Sequence, residues 1–279
     1  MWRTGRFVSA YWWEDVQNFG DGLTSWLLPH YGFLPVRQLL PRARLVGVGS
    51  LLQRLDAGYT GAIWGAGAIR DDPRPLPEAH VLAVRGRHSA DVIGARGAFA
   101  LGDPGVLVSR IARRPRVRWD VGIVPHYTHR DSSVIAALQR RGGEAVRVID
   151  VRRSAAAATR EIAACSVVLT SSLHGLIVAD SYGIPAAWTS LEPPLNGGDF
   201  KFHDYESVIS PGTSRFLAVD HDTTVESLRR HARPADAGIV AGVGDALERA
   251  LGGLDEAIGP LPRFPFELAG VRPRAAANS

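Results

Sequence analysis

The chain has 279 residues, 46% of them hydrophobic and 22% charged, with a net charge of +4. It is therefore globular and long enough for two domains of ordinary size. A lone cysteine, Cys165, excludes an intrachain disulfide framework and any multi-cysteine zinc site, and no basic run marks a nucleic-acid stripe. No stretch approaches the roughly 18 consecutive apolar residues of a membrane span, and Met1–Arg6 leads into no apolar signal-peptide core, so a cytoplasmic protein is expected.

Short apolar runs that end in glycine or a polar turn alternate with helix-like segments. In the first half this pattern predicts strands near 6–11, 44–48, 61–64 and 80–84. It predicts helices over 21–29, capped by Asp21, and over 87–94. The arginine-rich segment 113–118 has the composition of a linker. The rhythm then restarts with a strand at 119–124, a helix at 131–141 that Asp131 is placed to cap, and a strand at 145–149. A helix at 154–164, a strand at 166–170, a helix at 174–182 and a short strand at 186–189 follow. Segments 223–233 and 236–251 read as helices. Strands alternating with helices of this length imply right-handed βαβ units and parallel sheets. The expected architecture is α/β: two Rossmann-like domains over 1–115 and 116–258 with an inter-domain cleft, then a tail over 259–279.

Of the 32 basic residues all but one are arginine; the exception, Lys201, lies in Asn196-Gly-Gly-Asp-Phe-Lys-Phe-His-Asp-Tyr-Glu206. Lysine offers a compact point charge where arginine offers a planar fork, so the two are not equivalent at a tight anion site. The same residue is also compatible with a solvated loop.

The second polar constellation is Thr170-Ser-Ser-Leu-His174, where an apolar strand gives way to a helix. In open α/β sheets ligands gather at the carboxyl ends of strands, beside helix N-termini with unpaired N–H groups. Ser171, Ser172 and His174 occupy that place, either as ligand contacts or as helix caps around a structural histidine. His126 and His129 follow the strand at 119–124. Their spacing suits metal ligands, but no neighbouring carboxylate completes such a set, and contact between His126 and a substrate is the other reading. Arg85 ends a strand and is suited to gripping a phosphate or carboxylate. Asn18 and Asp21 occupy the first strand–helix turn. The glycine pairs at Gly47/Gly49 and Gly65/Gly67 complete no dinucleotide fingerprint, and there is no P-loop and no nucleophile elbow.

Taken in order, Tyr11-Trp-Trp, Asn18-Phe-Gly-Asp21, Val84-Arg-Gly-Arg-His-Ser89, Gly102-Asp-Pro104, Pro125-His126, Ser172-Leu-His-Gly-Leu-Ile-Val-Ala-Asp180 and Phe200-Lys-Phe-His-Asp-Tyr205 resemble the polysaccharide pyruvyl transferase family. The resemblance implies a glycosyltransferase-B-like fold and transfer of pyruvate from phosphoenolpyruvate onto a sugar as a cyclic ketal. It implies His174 as the catalytic acid and Arg85 and Lys201 as donor ligands, with Ser171, Ser172, His126, Asn18, Asp21 and His203 as further substrate contacts. Some relatives have arginine where this chain has Ser172, so the phosphate here would need Ser171, Ser172, backbone N–H groups or another arginine. The implied partners are phosphoenolpyruvate, as donor substrate rather than cofactor, and a glycan acceptor, free or lipid-linked. No cofactor, metal or nucleic acid is expected. A histidine beside such an anionic donor is expected to have a raised pKa. Two other functions compete on the same fold: a nucleotide-sugar glycosyltransferase and a non-catalytic sugar-binding protein.

Overall fold

Val8 and Ala10 are buried and Phe7 and Ser9 less so, and this alternation makes Arg6–Tyr11 a strand, β1. In the computed structural model, which describes residues 5–40 and 42–263, β1 lies second in a six-stranded sheet. The others are β2 (Phe33–Arg37), β3 (Leu45–Val46), β4 (Ala62–Ala66), β5 (His80–Val84) and β6 (Ala100–Leu101). Their order is β2-β1-β3-β4-β5-β6, and every pairing is parallel. A second parallel sheet has the order β10-β9-β7-β8, built from β7 (Trp119–Val124), β8 (Val146–Val148), β9 (Cys165–Thr170) and β10 (Ala186–Trp188). Every expected strand is present. The unexpected ones, β2 and β6, are the two edges of the first sheet. Pro35 disguises β2, and an edge strand is where a proline without an N–H is tolerated.

The helices are α1 (Leu23–Leu27), α2 (Arg87–Ile93), α3 (Val108–Ile111), α4 (Ser133–Gly142), α5 (Ala155–Ala163), α6 (Leu173–Ser181), α7 (Phe200–Ile209), α8 (Val225–His231), α9 (Ala237–Gly252) and α10 (Leu254–Ile258). Two expected caps are corrected. Helix α1 starts from Gly22, and Asp21 makes no capping bond to it. Helix α4 starts from Ser132, while Asp131 is exposed and pairs with Arg130. Helix α7 was not anticipated, because Asn196-Gly-Gly198 and the mixed residues after it carry no helical period.

Helix α6 is apolar all round and buried over Leu173–Asp180, the pattern of a helix enclosed between layers. One hydrophobic core runs from Val8 and Trp64 of the first sheet through Leu176 and Ile177 of α6 to Val168 and Trp188 of the second. The first sheet ends in the chain at β6 and the second begins at β7, yet the last helices return to the first. The Trp64 indole N–H donates to the Leu247 carbonyl at 3.0 Å, and Arg110 pairs with Asp245 and Glu248 of α9. Arg6 pairs with Asp255, and the Phe7 N–H donates to Pro262. Residues 264–279 of the expected tail lie outside the described residues. Among the described residues no helix is long and apolar enough to cross a membrane.

Candidate functional site

The turn from β9 into α6 is fixed by Thr170, whose hydroxyl donates to the Val124 carbonyl at 2.8 Å and accepts the Ser172 N–H at 2.9 Å. Gly175 lets the first turn of α6 lie flat on the sheet, since a β-carbon there would sit 2.4 Å from the Thr170 hydroxyl. His174 is thereby held at the carboxyl edge of the second sheet, only 7% exposed, with Phe19 edge-on to its ring. A β-carbon on Gly20 would lie 1.9 Å from Nδ1, so the Asn18–Asp21 turn closes directly onto the imidazole. The opposite nitrogen, Nε2, points to Asp103 Oδ2 at 3.8 Å. Neither of those two buried atoms has a hydrogen-bond partner among the described residues. Asp103 arrives there because its other oxygen accepts the Gly105 N–H at 2.8 Å, which caps the turn after β6.

Lys201 is not on a solvated loop. It lies in the first turn of α7, 8% exposed; its side chain makes no hydrogen bond or ion pair among the described residues, and its ammonium lies 5.7 Å from the Phe202 ring centroid. Two clamps hold that helix. On one side Asp204 accepts Arg85 Nε at 2.8 Å, the Ser89 N–H at 2.7 Å and the Ser89 hydroxyl at 2.5 Å. On the other, Phe202 stacks on Trp188 with ring centroids 4.6 Å apart. Tyr205 donates to Asp180 at 3.0 Å, and Arg215 forks the same carboxylate. Glycine is needed at Gly86, where a β-carbon would be 2.0 Å from the Asp204 carbonyl oxygen.

A cavity of about 140 Å³ lies where these elements meet, lined by Asn18, Asp21, Ser50, Arg54, His126, Ser172, His174 and Lys201, with Trp13 and Tyr127 at its walls. Six of the residues singled out in the sequence thus converge: Asn18, Asp21, His126, Ser172, His174 and Lys201. Three stand apart. Arg85 is fully buried behind the wall; besides Asp204 it donates to Ser50 Oγ at 2.7 Å and the Ala68 carbonyl at 2.5 Å, so each guanidinium nitrogen has a partner. Ser171 accepts the His126 N–H at 3.0 Å and meets His129 Nδ1 at 2.9 Å. His203 is exposed, edge-on to Trp188. His129 Nε2 is taken by the Pro193 carbonyl at 2.8 Å, so both its nitrogens are committed and His126 has no chelating partner in it. Arg54, Trp13 and Asp103 went unnamed as site residues. Arg54 is one arginine among many, and its guanidinium lies 3.7 Å over the Trp13 ring. Asp103 carried a usable signal, its place in the Gly102-Asp-Pro104 motif, although the strand before it is only two residues long.

The charges at this cavity are displaced from their ordinary values. Burial, with Arg85 and then Lys201 adding to it, lowers the His174 imidazole to about 3. Burial, then Arg85, lowers Lys201 to about 8 while Asp21 and Asp199 oppose the fall. Burial raises both Asp21 and Asp103 to about 7. His126 is lowered to about 3, again chiefly by burial. Without an anion in place, then, His174 is neutral, the opposite of the direction expected beside a bound donor. The arrangement is one of deficient negative charge, which a small anion would complete.

A profile of the polysaccharide pyruvyl transferase family matches residues 76–193. Succinoglycan biosynthesis protein ExoV of Rhizobium meliloti (strain 1021) is 31% identical over 241 residues, covering 81% of this chain and 72% of that protein. An uncharacterized protein, L143, of Acanthamoeba polyphaga mimivirus is 31% identical over 144 residues, covering 48% of this chain and 49% of its own length.

Proposed function

This chain belongs to the polysaccharide pyruvyl transferase family, and we propose that it moves pyruvate from phosphoenolpyruvate onto two hydroxyls of a sugar as a cyclic ketal. The observation that carries this reading is the Lys201 ammonium, without an ion-pair partner among the described residues, at one cavity with His174, whose Nε2 and the Asp103 Oδ2 behind it are also unpaired. Buried polar atoms are nearly always satisfied, and unsatisfied ones gathered around a cavity point to a ligand. At about 140 Å³ the cavity is smaller than the ~300–1,000 Å³ typical of sites for drug-sized molecules, which favours a three-carbon donor over a nucleotide sugar.

In this reading the donor's carboxylate and phosphate lie against Lys201, with Ser172, Arg54 and the N-terminus of α6 as further anion contacts. Arg85 is a positioning residue: it holds Asp204, and so the helix that carries Lys201, and adds its positive field. With Asp103 behind Nε2, Nδ1 is the nitrogen left to face the donor. The arriving negative charge offsets Arg85 and Lys201 and raises the imidazole, so His174 gains the proton that it then gives to the donor's methylene carbon. That carbon becomes a methyl group and the neighbouring carbon an oxocarbenium-like centre. One sugar hydroxyl adds there and loses its proton, returning His174 to its starting state. The C–O bond to phosphate breaks, and the second hydroxyl closes the ring while its proton leaves with the phosphate. Two hydroxyl protons are released, one restoring the acid and one neutralising the leaving group.

The test is incubation with phosphoenolpyruvate and a panel of oligosaccharides, with nucleotide sugars as the competing donors. Phosphate release together with an acceptor mass gain of one pyruvic acid minus one water is expected. Glycosyl transfer from a nucleotide sugar, with phosphoenolpyruvate inert, would overturn the reading.

A further inference from the structure

Beside the His174 cavity, and sharing Trp13 and Asn18 with it, runs a much larger groove of about 690 Å³. Three of the chain's seven tryptophans, Trp12, Trp13 and Trp26, line it. One wall is the segment after β1 together with α1; the other is the start of α5, so both sheets contribute. The walls are tied by the Phe19 N–H, which donates to the Val151 carbonyl at 2.7 Å. The indole of Trp12 is held in place: its N–H donates to Glu14 at 2.7 Å, and Glu14 is braced in turn by Arg37 at 2.9 Å. Trp13 is fixed by the Arg54 guanidinium above its ring.

We propose that this groove is the acceptor subsite and holds pyranose rings of the glycan. The inference rests on the pyruvyl-transfer reading. Sugar rings present an apolar C–H face and an edge of hydroxyls. Half-buried indoles offer flat apolar surface to the first, and Glu14, Gln17, Asn18 and Ser25 along the same groove offer hydrogen bonds to the second. Groove and cavity share Trp13 and Asn18 in their linings, so a ring seated against Trp13 would lie beside a donor held by Lys201 and His174. The contrast in size gives each substrate its place: the cavity of about 140 Å³ suits the three-carbon donor, the groove of about 690 Å³ a chain of sugars.

The experiment uses the full chain with short gluco- and galacto-oligosaccharides, following intrinsic tryptophan fluorescence and saturation-transfer NMR with no donor present. Calorimetry with phosphoenolpyruvate is run in parallel. Trp12→Ala and Trp26→Ala are each expected to weaken oligosaccharide binding by about fivefold to tenfold, with Trp12→Phe recovering part of the loss. Ala156→Trp, which fills the groove from α5 and removes no indole, is expected to weaken it too. Phosphoenolpyruvate affinity should remain at the wild-type value in all four, which also reports on folding. Failure of the wild type to bind any of the sugars, or unchanged sugar affinity in the Trp12, Trp26 and Ala156 variants, overturns the acceptor subsite. Absence of phosphoenolpyruvate binding by the wild type overturns the donor reading instead, and so separates the two failures.

Discussion

Two strand ends in this molecule carry buried cations and carboxylates and use them in opposite ways. At the end of β5, Asp204 is bonded by Arg85 and Ser89, every guanidinium nitrogen of Arg85 has a partner, and Arg85 has no exposed surface. Beyond the end of β9, His174 Nε2 and the Asp103 Oδ2 it faces lack partners among the described residues, and Lys201 forms no ion pair among them. The first group is a structural joint between the two sheets; the second is an incomplete site. Residue type does not separate them, since both combine a cation with a carboxylate at the carboxyl edge of a parallel sheet. Commitment of the polar atoms does.

The sharpest way to break that comparison is to truncate one residue on each side. His174→Ala is expected to reduce turnover by about 10²–10⁴, the usual cost of a lost general acid, with little change in thermal midpoint. Arg85→Ala should do the reverse first, destabilising the fold by about 3–5 kcal/mol because it leaves the Asp204 carboxylate buried without its cation. Denaturant titration of both variants beside steady-state rates checks the pair. An Arg85→Ala protein of wild-type stability with weakened donor affinity would restore Arg85 as a direct ligand.

Lys201 gives an intermediate effect. Lys201→Arg should cost donor affinity about 1.5–3 kcal/mol although it preserves charge, since the wider fork does not fit a pocket built around a compact ammonium. The wild type should also bind the donor less well as pH rises through about 8, because the ammonium is present below that value and lost above it. Lys201→Met should lack this limb. Calorimetry across pH 6–9.5, read against roughly that expected midpoint, decides it.

Much of this was legible in the residues, for definite reasons. Strands buried on both faces announce themselves as short apolar runs, so both sheets were found, except for the Pro35-containing edge strand β2 and the two-residue edge β6. His174 and Lys201 stood out, one by its place at a strand–helix junction and the other by composition. What the sequence did not disclose was commitment. Nothing in Val84-Arg-Gly-Arg-His-Ser89 says that Arg85 faces Asp204, which lies 119 residues away in the chain. Nor does it say that Ser171 is occupied by His126 and His129. Helix α7 was hidden because tertiary clamps through Asp204, Phe202 and Tyr205 hold it, rather than a helical hydrophobic period.

The smallest expected effect probes the finest feature of the incomplete site, the pairing of Asp103 with His174. Asp103→Asn keeps the oxygen that accepts the Gly105 N–H, so the turn after β6 is preserved. It replaces the free oxygen facing Nε2 with an amide donor, which favours the neutral imidazole protonated on Nδ1 and withdraws the support an imidazolium would receive. Turnover should fall on the order of tenfold, the scale on which removing a group that orients and supports a functional histidine acts at other sites. A merely structural role would produce the same fall, so the pH profile carries the test. Burial raises Asp103 to about 7, which means that the ligand-free site holds its proton below that value and loses it above. The wild-type kcat/KM should therefore decline as pH rises through about 7, and Asp103→Asn should lose that limb. Asp21 titrates in the same range, also raised by burial, so Asp21→Asn is the necessary companion. If the limb persists in Asp103→Asn and disappears in Asp21→Asn, the proton serving His174 is held on the Asn18–Asp21 turn, and the orphaned Asp103 oxygen has no part in it.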